Sequence, residues 1–338
     1  MSDPLKPRPR FIALIGPTAS GKTELSVPLA LDLDGEIISM DSRQVYRGMD
    51  IGTDKVEPAH RKAVPHHGLD LVDPSERYSA GRFGRDARRW IEAIEGRGRI
   101  PILVGGTGFF LETLLKPIFQ EPDIDPGARR RLRAYLSALP PERLGEWVLR
   151  LDPERAEVAA AGGPQRLART IEVALLSGRP LSWWHRNAPP DALPLEGLIV
   201  RLRIDRKEMD RRIDARVEQM MERGFKEEVQ SLLDAGFGPD DPGMTGTGYR
   251  EVVAVLQGGL SRREAVESTQ KATRAYARRQ LTWFRHRLPA DTLVLDARSP
   301  VEDRIARIRE RWLRVRSPSD VGGTGTDGSK TEPGRDEA

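Results

Sequence analysis

Short apolar runs alternate with helical patterns over residues 1–125, which is typical of a parallel α/β core. Mainly apolar runs occur at 10–15, 36–40 and 100–104, as expected for strands that are covered on both faces. A shorter run at 69–72 predicts one more strand, and the proline- and glycine-containing stretch 43–68 predicts irregular structure.

Helical periodicity alone continues from about 126 to 185. Prolines at first helical positions and glycines at helix ends delimit four predicted helices, at 128–139, 141–149, 153–161 and 164–178. Strand patterns then return, with predicted strands at 198–204 and 292–295. The remaining predicted helices are one capped by Asp205 that ends near Gly224, one at 226–235, a long basic helix from Ser261 to Arg287, and a last helix at 301–315.

These changes of pattern predict four segments. Residues 1–125 form the first part of the core and 126–190 form an all-helical insertion. Residues 191–316 form the second part of the core and include the basic helix. Residues 317–338 are rich in Gly, Ser, Thr, Pro and Asp and have no apolar pattern, so we predict a disordered tail.

The composition narrows the class of protein. The 338 residues contain no cysteine, which excludes disulfides, thiolate zinc sites and cysteine nucleophiles. No apolar run is long enough for a signal sequence or a membrane span. We therefore expect a cytoplasmic protein without a membrane partner, and a monomer.

Arginines are clustered although the formal net charge is only +4. The clusters lie at 129–133, 262–263 and 274–287. Such clusters favour a polyanionic partner, most often nucleic acid, but solvated helix faces would give the same pattern. Charge alone does not decide between these two interpretations.

A complete phosphate-binding loop, G-x-x-x-x-G-K-[ST], follows the first strand and opens a helix. Its predicted diphosphate-binding residues are Gly16, Pro17, Thr18, Ala19, Ser20, Gly21, Lys22 and Thr23. Lys22 would supply a positive charge, the Thr23 hydroxyl would hold Mg²⁺, and the helix N-terminus would attract the anion. The loop indicates a di- or triphosphate ligand without identifying it.

A set of motifs, taken in order, resembles the tRNA dimethylallyltransferases (the isopentenyl diphosphate transferase family) over about residues 11–296. Besides the phosphate loop, they are I-I-S-M-D-S at 37–42, Y-R-G-M-D-I-G-T at 46–53, H-H at 66–67, V-G-G-T at 104–107, G-Y-R-E at 248–251, and A-T-R at 272–274 with R-R-Q-L-T-W-F-R at 278–285. The resemblance implies a P-loop kinase-like core with a helical insertion.

The resemblance also implies a reaction. A dimethylallyl group would pass from dimethylallyl diphosphate to the exocyclic amine of an adenosine in the anticodon stem-loop of tRNA. That adenosine lies just 3′ of the anticodon in tRNAs that read codons beginning with U. By the same resemblance, Arg216 faces the diphosphate and Thr107 lies near the reacting base.

Asp41 is the candidate general base for this reaction. It follows the second predicted strand, so it lies on the same rim of the sheet as the phosphate loop. An adenine amine is a weak nucleophile, and a carboxylate in reach can accept its proton as the C–N bond forms. The alternative is a carboxylate that only orients Mg²⁺.

The tRNA-binding residues are likewise implied by the resemblance. They are Asp41, Ser42, Arg43, Gln44, Thr107, Arg129, Gln165, Arg166, Leu167, Ala168 and Arg169. For the 129–133 cluster, tRNA binding and a solvated face remain equally good interpretations. His66 and His67 suggest a metal site, but without cysteines or a nearby acidic pair we expect local packing.

One departure from the family pattern bears on the phosphate site: Asp54 stands where the family commonly has Ala. Three rival functions also remain. They are a small-molecule P-loop kinase that binds ATP, a prenyltransferase acting on free AMP, and an RNA-binding protein switched by nucleotide. The basic helix from Ser261 to Arg287 and the arginines of the insertion argue against the kinase and the AMP prenyltransferase, because a small acceptor does not need them.

Overall fold

The computed structural model describes residues 9–120 and 122–316, and the predicted disordered tail at 317–338 lies outside the described residues. A six-stranded parallel sheet has the order β3-β2-β4-β1-β5-β6. Its strands are β1 (Phe11–Ile15), β2 (Gly35–Ser39), β3 (His66–His67), β4 (Ile100–Gly105), β5 (Gly197–Arg203) and β6 (Leu293–Asp296). The predicted α/β class and parallel sheet are confirmed.

Helices connect the strands, and one further helix follows the last strand. Those of the core are α1 (Lys22–Asp32), α2 (Pro58–Ala63), α3 (Ala80–Gly96), α4 (Gly108–Leu115), α10 (Arg206–Glu222), α11 (Phe225–Asp234), α12 (Tyr249–Leu256), α13 (Arg262–Arg287) and α14 (Val301–Arg316). The helices between α4 and α10 belong to the insertion. α13 is the predicted basic helix, and Ser261 with Glu264 forms a capping box at its start.

Both faces of the sheet are buried, which explains why β1 is apolar at every position. Ile12 and Leu14 face a core that includes residues of α1 and α14. Phe11 and Ile15 face the opposite core with residues of α3 and α4 and with Phe284 of α13. The sheet therefore fixes the place of the loops that follow its strands.

The insertion is a bundle of its own, built from α5 (Pro126–Ser137), α6 (Pro141–Leu151), α7 (Ala156–Ala161), α8 (Pro164–Ser177) and α9 (Leu181–Asn187), with a 3₁₀ turn before α7. Leu136, Leu144, Val148 and Ile171 form its apolar core. The four predicted helices are confirmed. The division of the whole chain into segments at 125, 190 and 316 stays a prediction.

The structure corrects the strand predicted at 69–72. The edge strand is instead β3 at 66–67, inside the stretch predicted to be irregular, and it pairs with Ile37 and Ile38. Gly68 and Asp70 adopt positive φ angles of 81° and 54°, which end the extended backbone. The short helices α2, α4 and α12 were also not predicted.

A third apolar cluster supports the loop after β2. Val45 and Met49 from that loop pack with Phe225 of α11 and Tyr249 of α12. This packing holds residues 45–56 beside the rim of the sheet where the phosphate loop lies.

Candidate active site

The loops after β1, β2 and β4 meet at one cavity of about 820 Å³. Its walls include the phosphate loop, Asp41 and its neighbours, Arg216 of α10, and Tyr276 and Gln280 of α13. Parallel strands bring their carboxyl ends to the same rim, so the topology itself assembles these groups.

The phosphate loop curls at the start of α1 in the left-handed backbone conformation expected for a glycine-containing loop of this kind. Ala19 and Gly21 adopt positive φ angles of 61° and 80° at the start of α1. The Lys22 ammonium donates hydrogen bonds to the carbonyls of Gly16 (3.0 Å) and Pro17 (2.7 Å). The loop amides, the helix N-terminus and Lys22 thus form an anion-binding concavity.

Lys22 is the most perturbed cation of the site. Burial lowers the pKa of its ammonium to about 8, against the opposing effect of the nearby Asp41 carboxylate. Arg216 adds to the lowering and Asp54 opposes it. Near neutral pH the ammonium therefore carries its charge but is easily neutralised at higher pH.

Arg216 reaches the phosphate loop from α10. One arm of its guanidinium donates to the Thr18 hydroxyl at 2.7 Å, and the other donates to the Asp54 carboxylate at 3.1 Å. The structure therefore brings Arg216 to the loop, where the resemblance places it. Asp54 adds a negative charge there that sequence reasoning had noted only as a departure.

Asp41 and Thr107 are brought together by a close approach of two strand ends. A Cβ at Gly105 would lie 2.0 Å from the Met40 carbonyl oxygen, so only glycine fits there. The Ser42 amide donates to the Thr107 hydroxyl at 3.1 Å. The Asp41 carboxylate accepts from the Arg43 amide at 2.8 Å, which fixes its direction.

Arg43 and Gln44 line the cavity but also hold neighbouring loops. The Arg43 guanidinium donates to the Pro242 carbonyl at 2.8 Å. The Gln44 amide donates at 3.2 Å to the carbonyls of residues 53 and 54 and accepts from the Ser39 hydroxyl at 2.8 Å. These contacts give both side chains an internal role beside their predicted contacts with tRNA.

Sequence reasoning gave no role to two polar residues of α13. Gln280 accepts from the Thr18 amide at 2.9 Å and donates to the Gly106 carbonyl at 3.0 Å, so it ties the phosphate loop to the loop after β4. Tyr276 is hydrogen-bonded to Thr107, and burial raises its pKa to about 12. The sequence feature that could have identified them is the buried face of the basic helix, which also contains Thr269, Thr273 and Phe284.

The other predicted tRNA-binding residues lie on the insertion. Arg129, Arg133 and Arg169 surround the buried carboxylate of Glu172, which contacts Arg129 at 3.3 Å. Gln165 and Arg166 are exposed at the start of α8, and Ala168 is half-buried. Leu167 is only 4% exposed in the apolar core of the insertion, so its side chain supports α8 instead of facing solvent.

The described residues that line the cavity offer oxygen ligands for a metal ion. Thr23 presents an exposed hydroxyl, and Asp41 and Asp54 line the same cavity. Within 9–120 and 122–316, no three His, Cys, Asp or Glu side chains are grouped as metal ligands. This set suits Mg²⁺, which takes most of its ligands from phosphate oxygens and water.

His66 lines the cavity, but both histidines are bonded to groups outside the candidate metal ligands. His66 contacts the Val64 carbonyl at 2.7 Å, and His67 contacts the Glu36 carboxylate at 2.8 Å. Both residues form the edge strand β3, so they fasten the end of the sheet.

Proteins of a known family are similar in sequence to this chain over most of its length. The family model of the IPP transferases matches residues 44–287. The chain is 42% identical over 275 residues to tRNA dimethylallyltransferase 2 of Geotalea uraniireducens, covering 81% of this chain and 89% of that protein. It is 43% identical over 281 residues to the tRNA dimethylallyltransferase of Thermomicrobium roseum, covering 82% and 84%.

Solved structures agree. The full-length tRNA isopentenylpyrophosphate transferase from Bacillus halodurans is similar with a TM-score of 0.65 and 34% identity, covering 90% of this chain and 96% of that one. A eukaryotic dimethylallyltransferase acting on tRNA is similar with a TM-score of 0.73 and 29% identity, covering 90% and 77%. The P-loop core with a helical insertion and the family resemblance are therefore confirmed, and the chain belongs to the IPP transferase family.

Proposed function

We propose that this protein transfers a dimethylallyl group from dimethylallyl diphosphate to the exocyclic amine of the adenosine 3′-adjacent to the anticodon, in tRNAs that read codons beginning with U. One observation carries the proposal: the cavity joins a phosphate loop to an oriented carboxylate, with Lys22 and Arg216 on one side and Asp41 beside Thr107 on the other. The relatives named above are tRNA dimethylallyltransferases.

The phosphate loop handles the leaving group. As the allylic C–O bond breaks, its electron pair and a growing negative charge pass to the diphosphate. The loop amides, the Lys22 ammonium and the Arg216 guanidinium surround that position and can take up this charge once a diphosphate occupies the loop. Mg²⁺, when bound through the Thr23 hydroxyl, would neutralise further charge on the diphosphate.

Asp41 handles the nucleophile. The amine nitrogen forms the new C–N bond and loses one proton, which the Asp41 carboxylate accepts. The hydrogen bond from the Arg43 amide orients the Asp41 carboxylate. The hydrogen bond from the Ser42 amide keeps Thr107 close to it. Tyr276 stays protonated and supports Thr107.

The acceptor is an RNA loop, whose bases are the cheapest to take out of the stack. The exposed basic residues Lys271, Arg278 and Arg285 of α13 and the arginines of the insertion offer contacts to RNA phosphates. Such contacts favour tRNA over AMP or another small acceptor, so the kinase and AMP alternatives are not favoured.

We further propose that the protein acts as a monomer in the cytoplasm. Every group named in the mechanism comes from one chain, and tRNA is the acceptor. Among the helices that the structure describes, none combines the length and the apolar character needed to cross a membrane.

A transfer assay with labelled dimethylallyl diphosphate, Mg²⁺ and unmodified tRNA tests the proposal. Label is expected in tRNA, and changing the target adenosine to guanosine should abolish it. Parallel reactions with AMP and ATP separate the alternatives. Label in AMP alone, or ATP consumption without transfer, would contradict the proposed function.

A further inference from the structure

The Asp54 carboxylate lies inside the phosphate site and pairs with its arginine. It accepts from Arg216 at 3.1 Å, while the other arm of Arg216 holds Thr18 of the phosphate loop. The Asp54 side chain is 38% exposed and that of Arg216 is 27% exposed, so solvent and ligands reach the pair. Asp54 also acts on Lys22, whose pKa it raises.

The turn that carries Asp54 is held firmly in place. The Glu228 carboxylate accepts hydrogen bonds from the three successive amides of residues 50–52, at 2.8, 2.6 and 3.1 Å. The Gln44 amide holds the carbonyls of residues 53 and 54. Asp54 itself has a φ of 52°, a conformation that Asn and Asp tolerate better than most residues. The carboxylate is therefore a fixed charge of the site.

We propose that Asp54 is an internal counter-ion of Arg216, which the diphosphate of the substrate must displace, so that Asp54 weakens diphosphate binding and speeds release of the product. The proposal rests on the proposed function and adds a residue that sets affinity at the same site. Phosphate oxygens and the Asp54 carboxylate are both negatively charged and compete for the charge and the N–H donors of the same guanidinium.

Two variants separate charge from contact. Asp54→Asn removes the charge and keeps an acceptor for Arg216, whereas Asp54→Gly removes both and suits the positive φ. We expect tighter binding of inorganic diphosphate in both, on the order of tenfold, with the larger gain in the glycine variant. The control Glu57→Gln changes the net charge equally but affects a pair with Arg223 at 3.7 Å.

The measurement is a calorimetric titration of each full-length protein with inorganic diphosphate at fixed free Mg²⁺, followed by the transfer assay. The KM for dimethylallyl diphosphate should fall with the dissociation constant, while the KM for tRNA stays unchanged. Equal or weaker diphosphate binding in Asp54→Asn and Asp54→Gly would overturn the proposal. A wild-type protein that binds diphosphate but transfers nothing to tRNA would instead overturn the proposed function.

Discussion

Two regions of this protein pair arginine with carboxylate, and they do so in opposite ways. In the cavity, one arginine, Arg216, meets the partly exposed Asp54. In the insertion, Arg129, Arg133 and Arg169 surround Glu172, whose side chain is 1% exposed.

The difference lies in what an arriving phosphate meets. In the cavity the charges of Arg216 and Asp54 balance, so a diphosphate must compete with a carboxylate for the guanidinium. In the insertion three arginines surround one buried carboxylate, which holds them in a fixed arrangement. We therefore expect the cavity to bind a small anion reversibly and the arginines of the insertion to contribute to binding of a large one.

Among changes in these two regions, replacement of Arg216 should have the largest effect on the transfer reaction. Arg216→Ala deletes a donor aimed at the leaving group, and we expect kcat/KM for transfer to fall by about a hundredfold or more. Binding of unmodified tRNA should change little. Steady-state kinetics with each substrate varied in turn would show this. An equal loss of tRNA affinity would contradict the assignment of diphosphate binding to the cavity and tRNA binding to the insertion.

The buried carboxylate of the insertion should matter for stability. Glu172→Gln leaves three arginines around an uncharged group, and we expect a loss of about 3 kcal/mol in the free energy of unfolding. The matched control is Glu154→Gln, also in the insertion, where an exposed glutamate pairs with Arg186 and should contribute less than about 1 kcal/mol. Denaturant unfolding measures both; similar losses would contradict the contrast drawn between buried and exposed pairs.

The pH dependence should distinguish the regions as well. The pKa of Lys22 in the unliganded protein is lowered to about 8, so the ammonium is charged below that pH and neutral above it. A bound diphosphate favours the charged form, hence diphosphate affinity should fall by about tenfold between pH 7 and pH 9.

The control for this titration is Lys22→Arg, which cannot lose its proton in that range. Its diphosphate affinity should be nearly flat from pH 7 to pH 9. A wild-type profile as flat as that of the variant would mean that Lys22 does not control the pH dependence.

The smallest effect is expected from a single exposed arginine. Arg166→Ala should weaken tRNA binding by a few-fold and reduce the slope of log affinity against log salt by about one. Diphosphate binding should be unaffected. Titrations of tRNA at several salt concentrations would test this, and an unchanged slope would remove Arg166 from the tRNA contacts.

Local patterns predicted the parts of the site that are contiguous in the chain. The strand, glycines and helix start of the phosphate loop all lie within 11–32, and Asp41 follows directly on a mainly apolar run. Asp41 could therefore be placed on the rim without coordinates. The two-residue strand β3 is too short to leave a periodic pattern.

Contacts between distant parts of the chain could not be predicted in this way. Asp54 and Arg216 are 162 positions apart, and Gln280 reaches Thr18 across 262 positions. No periodicity links such pairs, because only the folded sheet brings them to one rim. Leu167 illustrates the converse, since a motif position adjacent to exposed Arg166 turned out to face the core.

In the proposed mechanism, Asp41 accepts the proton of the attacking amine while the phosphate loop receives the diphosphate. Its most direct test is single-turnover transfer to tRNA by wild type and Asp41→Asn, with both substrates saturating and diphosphate and tRNA affinities measured on the same proteins. We expect a rate at least about a hundredfold lower in the variant, with both affinities retained. An undiminished transfer rate in Asp41→Asn would contradict it.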